Sequence, residues 1–338
     1  MIYSMLNDNT TIKAVPTNII TGFLGAGKTS AIVHLLQNKP KHERWAILVN
    51  EFGEIGIDGS LMQGQYSEEQ GVFIREVPGG CMCCAAGLPM QIALNMLLAK
   101  AKPDRLLIEP TGLGHPKEVL DVLSNEHYQD VLSIQKIITL VDARQLKDQR
   151  YTTHETFNQQ IAIADVVIGN KQDLYDEGDK ERLSQYIDEH FSPSKPLAFT
   201  EQGQLDPSLL SGSTHAKAGH AHHHHSYQSV LASEQPLPEI GFLKAENQGD
   251  GFLSAGWRFD QRYQFDRSKL YLFLSGLEVE RMKGVFITNE GLFGYNLADG
   301  SLKELPIDVC DESRIEMIAE RLDDDWESQI LNCAVDSE

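Results

Sequence analysis

Positive charge is scarce in this 338-residue chain: Lys and Arg total 29 against 49 Asp and Glu, a formal charge of −20. No segment gathers the basic residues into a patch, so a polyphosphate backbone would be repelled and nucleic acid is not an expected partner. No run approaches 18 uninterrupted apolar residues, so nothing reads as a membrane span. The first residues, Met1 to Pro16, lack the basic flank and continuous apolar stretch of a secretory signal, and a cytoplasmic location is expected. Cysteine is also sparse, five in all, and Cys310 and Cys333 stand alone as expected packing residues. The other three, Cys81, Cys83 and Cys84, crowd into four positions. In a reducing compartment such crowding points to metal or redox chemistry rather than a disulfide framework.

What remains is globular: 41% hydrophobic and 23% charged residues, over a length that suits a catalytic domain and a smaller companion. Short β-branched runs alternate with helical spacing through the first two hundred or so positions, the pattern of βαβ units around a mostly parallel sheet flanked by helices. Strands are expected at Asn18–Thr21, Ala46–Asn50, Leu106–Glu109, Ile137–Asp142, Val166–Asn170 and Pro196–Thr200. Helices are expected at Ser30–Gln37, Leu88–Lys100 and Glu118–Leu123. Val72–Val77 alternates with period two and predicts an extra strand or hairpin arm that delivers the cysteines. From Gln202 to Pro238 the composition turns to Gly, Ser, Ala, Pro and His, a linker signature. Beyond it, strands at Gly251–Asp260, Arg281–Thr288 and Leu292–Asn296, with helices at Arg267–Leu277 and Glu312–Glu320, outline a small α+β domain. The expected organisation is an extension (1–16), a nucleotide-binding domain (17–201), a His-rich linker (202–238), the α+β domain (239–330) and a tail (331–338).

Gly22, Phe23, Leu24, Gly25, Ala26, Gly27, Lys28 and Thr29, followed by Ser30, satisfy G-x-x-x-x-G-K-[ST] between an expected strand and an expected helix. Glycines let successive N–H groups curl toward phosphate oxygens, Lys28 is placed for the β- and γ-phosphates, and the Thr29 hydroxyl for Mg²⁺. About 140 residues later, Asn170, Lys171, Gln172 and Asp173 follow a buried apolar run in the form N-K-x-D. A carboxylate there accepts from the two N–H groups of guanine's Watson–Crick edge. Adenine would leave it unpaired, which favours GTP over ATP. Glu109-Pro110-Thr111-Gly112 ends a strand on the ligand-binding edge of such a sheet, where Glu109 suits the Mg²⁺ shell and Gly112 can offer its N–H to the γ-phosphate. Glu51 and Glu54, on the Gly-rich stretch after the second strand, occupy the position of a nucleotide-sensing switch.

Cys81, Cys83 and Cys84 set three soft ligands within one turn, suited to Zn²⁺ or Cu(I). A fourth must come from elsewhere, Glu54 or His115 being candidates. A transfer site, a fixed zinc staple and a redox pair all remain open, with Pro78-Gly79-Gly80 favouring mobility. His215, His220, His222, His223, His224 and His225 make up half of the 12 histidines and form an auxiliary metal-gathering tract.

Together, Gly22–Thr29, Asn50–Glu54, Gly80–Cys84, Glu109–Gly112 and Asn170–Asp173 resemble the CobW-type family of metal-handling P-loop GTPases, whose relatives deliver nickel in urease and hydrogenase maturation. Cys-Met-Cys-Cys followed by Gly87-Leu88-Pro89-Met90, and Ile108 through Pro116, resemble its zinc-binding members. The resemblance runs over roughly residues 15–330 and is specific in about the first 175. It implies a slow cytosolic GTPase with a Glu at position 109 in place of the usual Asp. Catalysis would rest on Lys28, Thr29, Glu109 and Glu51, with the metal site against the nucleotide switch. Zinc would modulate hydrolysis or homo-oligomerisation, and a client metalloprotein would receive the ion. A zinc sensor or store without a client, a cobalt or nickel inserter, and an ATP-dependent small-molecule kinase are the alternatives.

Overall fold

The computed structural model describes residues 12–50, 67–77, 88–217, 236–249, 252–298 and 300–335. Eight strands form the first sheet: β1 (Val15–Gly22), β2 (Trp45–Asn50), β3 (Val72–Val77), β4 (Arg105–Glu109), β5 (Leu132–Ile134), β6 (Ile138–Asp142), β7 (Val166–Asn170) and β8 (Leu197–Phe199). Their order is β3-β2-β4-β1-β6-β7-β8, with β5 beside the start of β1, and every pairing is parallel. β3 pairs parallel to β2 from Trp45↔Val72 to Asn50↔Val77, so it is an edge strand and not a hairpin arm.

Helices cover the sheet because their apolar residues recur at helical spacing. In α1 (Lys28–Gln37) the buried apolar residues are Ala31, Ile32, Leu35 and Leu36. In α2 (Leu88–Ala101) Met90, Ala93, Leu94, Leu97, Leu98 and Ala101 face the core. Removing each Leu from water stabilises the packing by roughly 1.5–3 kcal/mol. α3 (Pro116–Leu123), α4 (Glu155–Ile163) and α5 (Asp179–His190) complete this layer. Parallel strands put the carboxyl ends of β1, β4, β6 and β7 on one edge. β1 lies between β4 and β6, where the connections diverge to either side, which is the usual ligand crevice of such sheets.

The second domain is a six-stranded antiparallel sheet ordered β13-β12-β11-β14-β10-β9. Its strands are β9 (Phe242–Gly249), β10 (Phe252–Phe259), β11 (Arg281–Thr288), β12 (Gly291–Ala298), β13 (Ser301–Pro306) and β14 (Ser313–Ala319). Ala255, Trp257, Phe259, Met282, Phe286, Ile315 and Met317 pack one face against α6 (Arg267–Ser275) and α7 (Trp326–Leu331). Asp266 caps α6 by accepting from the Lys269 N–H at 2.9 Å. The helix expected at Glu312–Glu320 is instead the strand β14, paired with β10 and β11. The linker reading also began too early. Leu205 and Leu210 are buried in the first domain's core, and Asn18 Nδ2 donates to the Leu210 carbonyl at 3.0 Å.

Candidate nucleotide site

Left-handed backbone at Gly25 (φ 72°) and Gly27 (φ 95°) turns the loop after β1 so that α1 begins at Lys28. A Cβ on Gly27 would collide with Asn170 Nδ2, so only glycine fits both the backbone and the neighbour. Lys28 is buried, and its Nζ donates to the carbonyls of Gly22 at 2.9 Å and Phe23 at 3.3 Å. Its ammonium thus lies inside the curve of the loop. Thr29 Oγ1 donates to Glu109 Oε1 at 2.8 Å, across the edge between α1 and β4. Glu109 is 2% exposed. A part-buried hydroxyl joined to a buried carboxylate gives hard oxygen donors, the set that Mg²⁺ prefers. The four residues Lys28, Thr29, Glu109 and Asn170, expected from sequence to share a site, are brought together.

Asn170 acts as a clamp. Its Nδ2 donates to the Ala26 carbonyl at 2.8 Å, while its Oδ1 accepts from the Gly203 N–H at 3.0 Å. Lys171 adopts φ 61°, and its Nζ lies 3.4 Å from the buried Asp142 Oδ2. Asp173 sits exposed on the single turn Gln172–Leu174. The Tyr175 hydroxyl donates to the Asn170 carbonyl at 2.6 Å, and burial pushes its phenol well above the usual range. The loop after β8 closes this side: Gln172 N–H donates to the Thr200 carbonyl at 3.0 Å, and Thr200 N–H to the Gly169 carbonyl at 2.9 Å. Gly203, at φ 73°, lies so close to α1 that a Cβ would meet Ala31 N at 2.6 Å. Thr200 and Gly203 pack against the Asn170 turn, and the motif reading missed them. Their signal was a polar stretch ending in glycine directly after a short strand.

Three more residues escaped the motifs. Gln160, 1% exposed, donates from Nε2 to the carbonyls of Gly112 at 3.0 Å and Gly114 at 3.1 Å, fixing the loop after Glu109. Gln145 Nε2 donates to the Leu24 carbonyl at 3.1 Å and steadies the phosphate loop from the other side. The Thr111 hydroxyl is buried with no hydrogen-bond partner among the described residues. Leaving a hydroxyl so costs about 1–3 kcal/mol, an arrangement that a ligand would relieve.

Glu51, Glu54, Cys81, Cys83, Cys84, His220 and His222 to His225 lie outside the described residues. Of the remaining metal candidates, His115 Nδ1 is 2.7 Å from Gln159 Oε1, and the exposed His215 Nδ1 is 3.1 Å from Asp165 Oδ1. Burial would raise the Asp165 carboxyl, but the N–H groups of His215 and Ile137 outweigh it and hold the group below the ordinary range. Among the described residues no three His, Cys, Asp or Glu side chains converge as a metal site. Cys310 and Cys333 are free thiols, and burial lifts the Cys310 thiol to about 11, as befits packing residues. None of the helices formed by the described residues is long and apolar enough to cross a membrane.

Residues 16–197 match the CobW/HypB/UreG nucleotide-binding domain. The chain is 39% identical over 317 residues to the zinc chaperone YeiR of Escherichia coli K12, covering 92% of this chain and 94% of that protein. It is 30% identical over 246 residues to the zinc chaperone CobW of Pseudomonas aeruginosa, covering 64% and 65% of the two chains. With the zinc chaperone YjiA of E. coli K12 the identity is 29% over 204 residues, covering 58% and 60%. The chain belongs to the CobW/HypB/UreG family.

Proposed function

We propose that this protein is a Mg²⁺-dependent GTPase that couples GTP hydrolysis to the capture and release of Zn²⁺, a metallochaperone acting in the cytoplasm. The observation that carries the reading is the joined set at the head of β1, in which Thr29 meets Glu109 at 2.8 Å beside a buried Lys28. Its zinc cargo is supported by the likeness to zinc chaperones along most of the chain.

Bound GTP would receive hydrogen bonds from the N–H groups between Gly22 and Ser30, and Lys28 would move from the loop carbonyls to the β- and γ-phosphates. Thr29 and Glu109 would hold Mg²⁺, which neutralises charge between those phosphates. Asp173 would take the two N–H groups of guanine, with Asn170 fixing the distance from the base to the phosphate loop. Water attacks the γ-phosphate with no covalent intermediate, and the protein contributes position and charge. Gln160, which donates to the Gly112 carbonyl, would steady the loop whose N–H is offered to the γ-phosphate. Cys81, Cys83 and Cys84, with Glu54, are the proposed zinc ligands, and Glu51 the switch carboxylate. The histidines from His215 to His225 would gather metal for them.

Lys28→Ala should abolish GTP hydrolysis while zinc binding, read by metal analysis of the purified protein, stays at the wild-type stoichiometry. Wild-type turnover in that variant would remove the GTPase assignment.

A further inference from the structure

The two domains meet through an apolar cluster in which Ile318 of β14 packs with Phe23 and Leu24 of the phosphate loop. Beside that join lies a cavity of about 400 Å³, within the size range of small-ligand clefts and placed, as many are, between domains. Its walls come from three places. Phe23 belongs to the phosphate loop, and Arg150, Tyr151 and His154 to the short helix Gln149–Thr152 and the start of α4. Phe252, Glu280 and Glu320 stand at the ends of β10, β11 and β14.

Four rings hold one another in order there. Phe23 meets Tyr151 and His154 edge-on, with centroids 5.4 and 4.8 Å apart, and His154 stacks on Phe252 at 6.4 Å. Aromatic faces carry negative potential and attract cations, Arg more often than Lys. The charge beside the rings has the same sign. Arg150 is shared by three carboxylates: its Nε and Nη2 face Asp148 at 2.9 and 2.7 Å, while Nη1 alone serves Glu320 at 2.6 Å and Glu280 at 3.2 Å. That pairing engages one oxygen, Oε1, of each glutamate. One cation against three anions leaves the rim short of positive charge, in a chain already at −20.

Two carboxylates beside aromatic walls suit a group that is flat, cationic and weakly hydrated, which describes a guanidinium better than an ammonium. Arg150 shows the fit, since one guanidinium already reaches both glutamates. Free arginine would bring its own carboxylate to this acidic rim. An arginine within a polypeptide brings none.

We propose that the cavity between the domains is a docking site for an arginine side chain of a partner protein, its charge held by Glu280 and Glu320 and its plane laid against Tyr151 and Phe252. An arginine seated there touches both domains and Phe23 of the phosphate loop at once. The site stands apart from the nucleotide reading, because neither GTP nor zinc enters the argument.

The test follows amide chemical shifts of the isotopically labelled full chain, without nucleotide, during titration with N-acetyl-arginine N-methylamide. Saturable shifts are expected at Tyr151, His154 and Phe252, with a Kd on the order of 1 mM for so small a probe. N-acetyl-citrulline N-methylamide, of similar shape and uncharged, should bind at least about tenfold more weakly, and so should free arginine. Equal affinity for the citrulline probe overturns the inference, as does the absence of shifts at those three amides with the arginine probe. Binding of free arginine as tight as the blocked probe, or tighter, overturns it too, by making the cavity an amino-acid site. Glu280→Gln combined with Glu320→Gln should weaken the blocked arginine by at least about tenfold, and unchanged affinity in that folded variant contradicts the assignment. The three probes on the wild-type chain decide the matter even if the double variant misfolds.

Discussion

At the scale of single residues, Asn170 and Asp173 are proposed to do different work three positions apart. Asn170 turns inward, with one amide tying the phosphate loop at Ala26 to the loop at Gly203. Asp173 stays exposed on its own turn, where the guanine reading needs an accessible carboxylate. The left-handed backbone of Lys171 makes the divergence: it reverses the chain between them while its ammonium leans on Asp142. Asp173→Ala should then cost hydrogen bonds to a charged acceptor, each worth about 1.5–3 kcal/mol, and weaken GTP by about 10- to 100-fold. ATP binding should not change. Competition of the two nucleotides against a fluorescent GTP analogue measures this, and equal losses for both would contradict the guanine assignment.

At the scale of elements, the stretch Gln202–Leu210 belongs with the nucleotide domain. Leu205 and Leu210 fill the core beneath α1, and Gly203 reaches Asn170. Leu210→Ala should destabilise that domain by about 2–5 kcal/mol, measured by urea unfolding with nucleotide binding as the probe. A change under 1 kcal/mol would return the segment to the linker. The sequence concealed this because its buried residues are two leucines among Gly, Ser, Pro and Asp. β14 misled for another reason. Ile315, Ile318 and Ala319 mimic helical spacing, yet Ile315 and Ala319 face the helix-covered core and Ile318 the phosphate loop. A strand between two cores loses its period-two signature. Helices α4 and α5 went unread because each buries few apolar residues, Phe157 and Ile161 in one and Leu183 and Ile187 in the other. The strands β1, β2, β4, β6 and β7 were legible because they are buried on both faces and rich in β-branched and apolar residues, and β1, β2, β4 and β7 lead into a motif. In the same way Lys28, Thr29, Glu109 and Asn170 could be found as a group. Gln145, Gln160 and Lys283 could not, since each acts through a partner distant in sequence, and Thr111 could not because what marks it is burial of its hydroxyl without a described partner.

At the scale of the whole molecule, a chain of net charge −20 buries Arg258, Arg281 and Lys283 on one sheet face, and Lys283 Nζ donates to Thr29 Oγ1 at 3.2 Å. Phe23 and Leu24, the variable positions of the phosphate loop, share a hydrophobic cluster with Ile318, and Arg150 bridges outward to Glu320 at 2.6 Å and Glu280 at 3.2 Å. With the Arg150 side chain 59% exposed, those pairs add little, and the apolar cluster carries the join. Any change in the loop during hydrolysis is therefore felt by the second domain. Structural zinc sites are held by roughly 10–16 kcal/mol, so release on a useful timescale needs a driven change. The most direct test loads the protein with one zinc per chain, adds GTP, GDP or a non-hydrolysable analogue, and follows transfer of zinc to a chromogenic chelator through a single turnover. The account predicts that zinc leaves faster with GTP than with either control, that Lys28→Ala removes the difference, and that Cys83→Ala starts with weaker zinc. Zinc transfer at one rate regardless of nucleotide would contradict it.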